Sequence, residues 1–359
     1  MTSASDEEPL VLLRTKGLSI KAMDETKKAM MRAYLESLTG ERGMSLNDVA
    51  KLVGNKTSGY ASWVCRQLGV KVRPFEEARL KGIKEKRRKY ERRPFDGTDE
   101  DRAYMLGVRH GDLSVSKPWN GVVRVSTSTT HPAMAELFHS LFEPYGHVYQ
   151  HPRYKKDTSS YEWNLSTILD SSFDFLMLSF EESIGWLGES DTRLIAYLSG
   201  LLDAEGSIVT TRNSRGLVTL FFDINNTNKV MLDWVRAFVL RWGYHCSVRI
   251  NKRRGVRTKK YGIVHRVDYW QLSSYGMRNI KLLIGSVRPR HSEKVRRQRI
   301  ALSVHEGQLY STVEESVKAL RAQIKQEVQE FVRQAEVEYN AKHAAKSARL
   351  LTGSAMAGR

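Results

Sequence analysis

Two acidic residues, Asp112 and Glu205, occupy matched places 93 residues apart. Small residues recur every four positions before each acid: Ala103, Gly107, Gly111 and Ala196, Gly200, Ala204. On a helix, this spacing gives one narrow seam without bulky side chains, and two such seams can pack backbone to backbone. Close packing of the two helices would bring the two carboxylates together at the helix ends.

A pair of adjacent carboxylates suggests metal chemistry. Two carboxylates a few ångströms apart repel each other unless a cation lies between them. Their hard oxygen atoms suit magnesium, and metal pairs activate water and stabilise the leaving oxygen in phosphodiester hydrolysis. A single acid at a helix end is usually a solvated side chain, but two acids in a duplicated seam favour a site. We therefore expect Asp112 and Glu205 to use Mg²⁺ or Mn²⁺.

The duplication extends beyond the two seams. Residues 134–146 match residues 231–243 at an offset of 97, and residues 163–166 match residues 270–273 at an offset of 107. Each copy therefore predicts a helix, a strand pair, a helix, a strand pair and a helix. Alternating apolar and polar residues place strands at 122–126, 161–168, 217–224, 245–250 and 264–272.

The second seam, Leu198-Ser-Gly-Leu-Leu-Asp-Ala-Glu-Gly206, resembles the LAGLIDADG signature, and the resemblance covers about residues 100–305. It implies an α+β fold with tandem αββαββα repeats, related by a pseudo-twofold axis, whose sheets form a saddle along the DNA major groove. It also implies that the last acid of each motif binds the metals, and we add Gly111 and Ala204 to the expected metal ligands.

The first motif departs from the family pattern. Leu113 follows the acid where a glycine is usual, and Arg109 and His110 replace apolar or small residues. His110 in this setting is more often a packing histidine than a catalytic one.

Further catalytic candidates come from the ends of the second strands and from a late lysine. Family enzymes often carry Lys or Gln there, whereas this chain has Thr127-Ser128 and Asn225-Asn226. Asparagine can position water but cannot supply a positive charge. Lys294 is the candidate cation, so Asn225, Asn226 and Lys294 join the two acids as catalytic candidates.

The charge balance indicates a polyanionic partner. The 359 residues include 58 Lys and Arg against 40 Asp and Glu, a net charge of +18, which favours nucleic acid although other basic proteins share such a balance. Residues 249–262 contain seven basic residues and no acid, as expected of a hairpin that grips the DNA backbone. The expected DNA contacts are Arg87, Arg88, Arg124, Ser126, Arg153, Lys155, Lys156, Arg249, Lys252, Arg253, Arg254, Arg257, Lys259, Lys260, Arg266 and Gln271.

The remaining segments flank the duplication. We predict a flexible lead-in (1–23), a small all-α helix-turn-helix-like domain (24–70), a basic linker helix (71–96), repeat one (97–188), repeat two (189–308) and a C-terminal amphipathic helix and tail (309–359). Within the second segment, 58–67 is the candidate recognition helix, and a plain helical hairpin is an equal alternative. An apolar stripe from Val313 to Ala335 predicts that the C-terminal helix packs on the main domain or on a partner helix rather than in a coiled coil.

Several classes of protein are excluded. The two cysteines lie too far apart in sequence for a Cys-rich zinc site, and no apolar run reaches the length of a membrane span. The polar, acidic first residues match neither a signal peptide nor a transit peptide, so we expect a cytoplasmic monomer bound to double-stranded DNA. The leading hypothesis is a homing-type endonuclease that cuts both strands of a long asymmetric target. An intron maturase that binds RNA and a DNA-binding regulator with a degenerate nuclease domain are the alternatives.

Overall fold

The computed structural model describes residues 7–14, 20–41, 44–54, 58–71, 90–118, 121–257, 262 and 264–356. The chain forms two compact units, Met1–Lys89 and Tyr90–Arg359. Among the described helices, none is long and apolar enough to cross a membrane.

The first unit is helical where it is described. Asp24 and Ser45 begin two of its helices, since their side chains accept hydrogen bonds from the backbone N–H groups of Lys27 and Asp48. Its elements are α1 (Glu7–Arg14), a 3₁₀ turn (Ile20–Ala22), α2 (Glu25–Glu36), a π turn (Ser37–Glu41), α3 (Leu46–Leu52) and α4 (Ser58–Gln67). Residues 55–57, between α3 and α4, lie outside the described residues, so the helix-turn-helix stays a prediction.

The expected flexible lead-in is wrong for residues 7–14 and 20–22. Leu10, Leu13 and Ile20 are buried in the same core as Leu35. Their apolar side chains hold α1 and the 3₁₀ turn against this core.

The expected linker helix does not reach residue 96. Residues 72–89, which include Arg87 and Arg88, lie outside the described residues, and residues 90–98 contain no helix. Instead, the Arg93 N–H donates to the Tyr145 carbonyl (2.9 Å), and the Phe95 ring packs among Tyr145, Phe173 and Phe175. These contacts attach the end of the segment to repeat one.

Repeat one has the expected αββαββα order. A capping box between Thr98 and Asp101 begins its first helix. Its elements are α5 (Asp99–Gly111), β1 (Ser114–Ser116), β2 (Val122–Thr129), α6 (Pro132–Phe142), β3 (Val148–Lys155), β4 (Ser160–Asp170) and α7 (Phe180–Gly188). The antiparallel sheet has the order β1-β2-β4-β3.

Repeat two has the same order and adds two C-terminal helices. Its elements are α8 (Asp191–Glu205), β5 (Gly206–Arg212), β6 (Val218–Asn226), α9 (Lys229–Arg241), β7 (Cys246–Lys252), β8 (Tyr269–Ser274), α10 (Met277–Ser286), α11 (Ser292–Ser303) and α12 (Glu314–Met356). The sheet order, β5-β6-β8-β7, repeats that of the first sheet. The tandem fold is therefore confirmed.

One predicted strand is shorter than expected. The strand placed at 264–272 is β8, which begins only at Tyr269, and the register between β7 and β8 shifts between Ile250 and Lys252. Beyond this shift, Gly255 turns the chain with a φ of +82°, and the Arg254 N–H donates to Asp268 (2.7 Å). Arg266 therefore lies in a connecting bend rather than on a strand.

The two sheets each have an apolar face and a polar face. Val125 and Leu165 in the first sheet and Phe222 and Leu272 in the second point to the helices and are fully buried. Alternation along the strands leaves the opposite face of each sheet polar.

The C-terminal helix α12 packs on the rest of the second unit, as expected. Val317, Ile324 and Ala335 are buried along its inner side. The Trp163 indole N–H donates to the Phe331 carbonyl (2.9 Å), which attaches the helix beside β4. Packing on the main domain is therefore confirmed over residues 313–335.

Candidate active site at the paired helix ends

The glycines of the two seams allow α5 and α8 to touch along their backbones. A Cβ atom added at Gly107 would lie 2.2 Å from the Tyr197 carbonyl oxygen, and one at Gly200 would lie 2.1 Å from the Tyr104 carbonyl oxygen. No side chain fits at either position unless the helices separate. The close approach explains why the chain keeps glycines that weaken a helix.

The seam brings the two acids together at the ends of α5 and α8. Asp112 is the C-terminal cap of α5, and Glu205 is the last residue of α8. A Cβ atom at Gly111 would lie 2.4 Å from the Ala204 Cβ and 3.0 Å from the Glu205 Cγ, so the helix ends are in direct contact.

The surroundings of the two acids oppose their ionisation. Burial, with a further contribution from the neighbouring Asp112 charge, raises the pKa of Glu205 to about 7. Desolvation by the packed surroundings also raises the pKa of Asp112, although part of this residue is exposed to solvent. Neither carboxylate accepts a hydrogen bond from the described part of the chain. A cation between two such carboxylates would offset both effects on their pKa values.

Lys294 places a positive charge near the two acids. It is the third residue of α11, and its ammonium group donates to the Gly206 carbonyl. Its charge lowers the pKa of both Asp112 and Glu205 against the effect of burial. Burial in turn lowers the pKa of Lys294 itself.

The donor set fits a hard divalent cation. Within the described ranges, no group of three or more His, Cys, Asp or Glu residues could hold a metal, so Asp112 and Glu205 have no third such residue beside them. Gly111 and Ala204 lie in the last turns of α5 and α8. The residues four positions later, Val115 and Ile208, whose N–H groups would complete a helical hydrogen bond, lie in strands. The Gly111 and Ala204 carbonyls therefore receive no helical hydrogen bond. An all-oxygen set suits Mg²⁺ or Mn²⁺, with water and phosphate as the remaining ligands.

Two tyrosines cross the seam in matched positions. The Tyr104 hydroxyl donates to Asp203 (2.5 Å), and the Tyr197 hydroxyl lies 3.0 Å from the His110 Nδ1. The His110 Nε2 is 3.2 Å from the Leu178 carbonyl oxygen, so it carries the proton and Nδ1 accepts from Tyr197. His110 is thus a packing residue, as expected.

Asp203 has a richer set of partners than His110. Besides the tyrosine, its carboxylate accepts from the backbone N–H groups of Arg290 (2.5 Å) and His291 (3.1 Å). Burial raises the pKa of Asp203 to about 6. The sequence reasoning missed both tyrosines, although their identical place in the two seams was a usable signal.

The two candidate asparagines face opposite sides of β6. Asn225 lies on the polar face, where its Oδ1 accepts from Asn251 (2.6 Å). Asn226 is buried, donates to the His110 carbonyl (3.3 Å) and accepts from the Asn228 N–H (2.8 Å). The backbone occupies both ends of its amide, which corrects the expectation that Asn226 is catalytic.

Six of the expected DNA contacts lie on the polar faces of the sheets. Arg124 and Ser126 alternate with buried residues of β2, and the remaining four are Arg153, Lys155, Arg249 and Gln271. Gln271 accepts from Arg249 (3.3 Å) and donates to Asp223 (3.0 Å). Asp223, an acid on this face, was missed because only strand alternation marks it.

The other basic candidates lie in turns or at strand ends. Lys156 is in a 3₁₀ turn after β3, and Lys252 ends β7 with its ammonium group 5.9 Å from the Tyr269 ring centroid. Arg253, Arg254, Arg257 and Arg266 belong to the connection between β7 and β8. Lys259 and Lys260 lie outside the described residues.

Comparison with known proteins identifies the second repeat. Residues 193–286 match the LAGLIDADG-like domain family. An uncharacterised protein of Methanocaldococcus jannaschii is 26% identical over 155 residues, which cover 43% of this chain and 58% of that relative. The chain is thus similar to LAGLIDADG-like domains over residues 193–286, a range that contains Gly200, Glu205 and all four strands of the second sheet.

Several solved structures are also similar to the chain. I-DmoI in complex with DNA and Ca has a TM-score of 0.35 at 18% identity, covering 53% of this chain and 89% of that one. The N-terminal LAGLIDADG domain of DUF199/WhiA has a TM-score of 0.35 at 13% identity, covering 57% and 89%. A mutant of I-SmaMI has a TM-score of 0.32 at 10% identity, covering 65% and 98%.

Proposed function

We propose that this protein is a site-specific DNA endonuclease of the homing type, in which Asp112 and Glu205 hold the metal for phosphodiester hydrolysis. The observation that most directly supports this proposal is the contact between the matched ends of α5 and α8, each of which carries an acid with a raised pKa. Holding two carboxylates next to each other in partly desolvated surroundings costs free energy, and a bound cation would offset that cost.

Different residues of the chain have different proposed roles in the reaction. Bound Mg²⁺ or Mn²⁺ supplies activation of water and stabilisation of the leaving oxygen. Asp112 and Glu205 would hold the metal ion, and the carbonyls of Gly111 and Ala204 could add further oxygen ligands. Lys294, held by the Gly206 carbonyl, stabilises negative charge that develops on the phosphate.

The two polar sheet faces are the proposed DNA-binding surface. Arg124, Arg153 and Arg249 lie on them, and the basic connection between β7 and β8 extends from the second sheet. One chain holds both acids, so a monomer suffices for both strands. The two faces carry different residues, which favours a long target whose halves differ. The N-terminal unit is proposed as a further DNA contact.

The test is cleavage of a duplex that the protein itself selects. Duplexes bound by the full chain are enriched from a randomised library without divalent metal, and the selected duplex is then incubated with Mg²⁺ or Mn²⁺. We expect the wild type to cut both strands and Asp112→Asn and Glu205→Gln each to lose at least about 100-fold in rate. Glu330→Gln, which changes an exposed acid paired with Arg333 (2.7 Å) on α12, is the control and keeps full activity.

Two outcomes contradict parts of this proposal. A wild type that binds the selected duplex but never cuts it rules out the nuclease. Acid variants that cut as fast as the wild type rule out the assigned site.

A second candidate function is binding without cleavage. It is favoured by repeat one, where His110 and Leu113 depart from the motif and the third residue of α7 is Glu182 rather than a lysine. A DNA-binding regulator and an RNA-binding intron maturase both fit this reading. Competition of structured RNA against the selected duplex separates them, since the maturase prefers RNA.

A further inference from the structure

The two polar faces carry different side chains at one matched position. Arg124 on β2 and Phe221 on β6 are related by the offset of 97 residues that relates the two repeats. Their cross-strand partners correspond as well, because Arg124 lies opposite Ser116 and Phe221 lies opposite Val209. The pseudo-symmetry therefore places a cation in one half of the surface where the other half has an aromatic ring.

Phe221 is an exposed apolar residue on a largely polar face, where Val209 lies opposite it on β5. Its neighbours on that face of β6 are Thr219 and Asp223, yet 39% of its surface is accessible. The Tyr275 ring, also exposed, meets it edge-on with centroids 6.3 Å apart. The Arg249 guanidinium lies 6.0 Å from the Tyr275 centroid, so a cation borders this apolar patch.

A mixed surface of this kind matches the chemistry of the DNA major groove. Guanine presents two acceptors, O6 and N7, which an arginine contacts with both arms of its guanidinium. Thymine presents a C5-methyl group that apolar side chains such as Phe contact. The same methyl group occurs on 5-methylcytosine.

We propose that Phe221 reads the C5-methyl group of a pyrimidine and that Arg124 reads a guanine. The two bases lie at equal distances from the centre of the target, because Arg124 and Phe221 are matched across the seam of α5 and α8. The inference rests on the proposed function in one respect, namely that the polar sheet faces bind duplex DNA.

The test starts from the duplex selected by the full chain from an unmodified random library. We expect thymine at one position and guanine at the position equally far from the centre on the other side. Replacing that thymine by deoxyuridine removes only the methyl group and weakens binding about four-fold. Placing 5-methylcytosine there instead of cytosine strengthens binding by about the same factor, which separates methyl contact from a preference for the A·T pair.

Matched variants assign the readout to the two residues. Phe221→Ala binds the thymine and deoxyuridine duplexes equally, whereas Phe221→Leu keeps the preference. Thr219→Ala, on the same face of the same strand, leaves the preference unchanged. Arg124→Met removes the guanidinium donors, so the preference for guanine at its position falls about ten-fold.

The outcomes separate this inference from the proposed function. Equal binding of thymine and deoxyuridine duplexes by the wild type overturns the reading by Phe221, as does an undiminished preference in Phe221→Ala. A guanine preference that survives in Arg124→Met overturns the reading by Arg124. A library that yields no enriched duplex overturns the DNA-binding function itself.

Discussion

The two repeats share their backbone geometry at the acids but differ in electrostatics. In repeat two, Asp203 on α8 accepts hydrogen bonds from a tyrosine and two backbone N–H groups. Lys294 is the third residue of α11. In repeat one, His110 takes the place of Asp203, and Glu182 is the third residue of α7.

The difference shows which features of the fold are fixed by sterics and which are free to change. The glycine contacts at Gly107 and Gly200 are nearly identical, with hypothetical Cβ atoms 2.2 and 2.1 Å from the opposite backbone. The direction of hydrogen bonding at the matched positions is reversed instead. In repeat two the Asp203 carboxylate accepts from backbone N–H groups, whereas in repeat one the Nε2–H of His110 donates to a backbone carbonyl. We infer that the halves are equivalent in packing and unequal in chemistry.

The largest expected effects test the equivalence in packing. Gly107→Ala and Gly200→Ala each force a Cβ atom into the opposite helix, so each lowers the free energy of unfolding by about 3 kcal/mol or more. Chemical denaturation measures both. Gly185→Ala, where a Cβ meets no atom within 4 Å, is the control and stabilises the protein by up to about 1 kcal/mol. Unequal losses at Gly107 and Gly200 contradict the symmetry of the seam.

The inequality in chemistry centres on Lys294. Lys294→Met removes the cation beside the acids, and we expect cleavage of the selected duplex to slow by about 100-fold. Glu182→Gln, at the third position of α7, changes the rate less than about two-fold. Single-turnover kinetics compares the two, and equal losses mean that the lysine has no special role.

The sequence predicted the repeats, the seam and the approach of Asp112 to Glu205, because small residues at a fixed spacing leave a steric pattern. It also pointed to Lys294, although through charge alone. It misassigned Asn226, because side chains at neighbouring strand positions face opposite sides and the register of β6 was not known. It missed the Tyr104–Asp203 pair, since contacts across the seam depend on how the two helices are rotated.

The pH dependence of stability provides a smaller test. Burial and Asp112 raise the pKa of Glu205 from its usual 4.5 to about 7, so folding of the metal-free protein favours the protonated carboxyl. This stabilisation is complete below pH 4.5 and is lost as the pH rises through 7. Urea denaturation in EDTA at pH 5 and pH 8 should show the wild type losing more stability than Glu205→Gln. A difference between the two proteins that does not change with pH contradicts the assignment.

The crossed tyrosines give the smallest expected effects. The Tyr104 hydroxyl donates to a carboxylate and the Tyr197 hydroxyl to a neutral imidazole, and hydrogen bonds to charged groups contribute more. We expect Tyr104→Phe to cost about 2 kcal/mol and Tyr197→Phe about 1 kcal/mol in thermal or chemical unfolding. The reverse order shows that Asp203 is protonated in the folded protein.

Strand-resolved, single-turnover cleavage of the selected duplex tests the central claim most directly. With each strand labelled separately and Mg²⁺ present, the wild type should cut both strands at different rates. Glu205→Gln should lose cleavage, and Lys294→Met should bring the two rates closer together. Cleavage of both strands at equal rates that Glu205→Gln leaves unchanged would contradict a metal-dependent site built from two unequal halves.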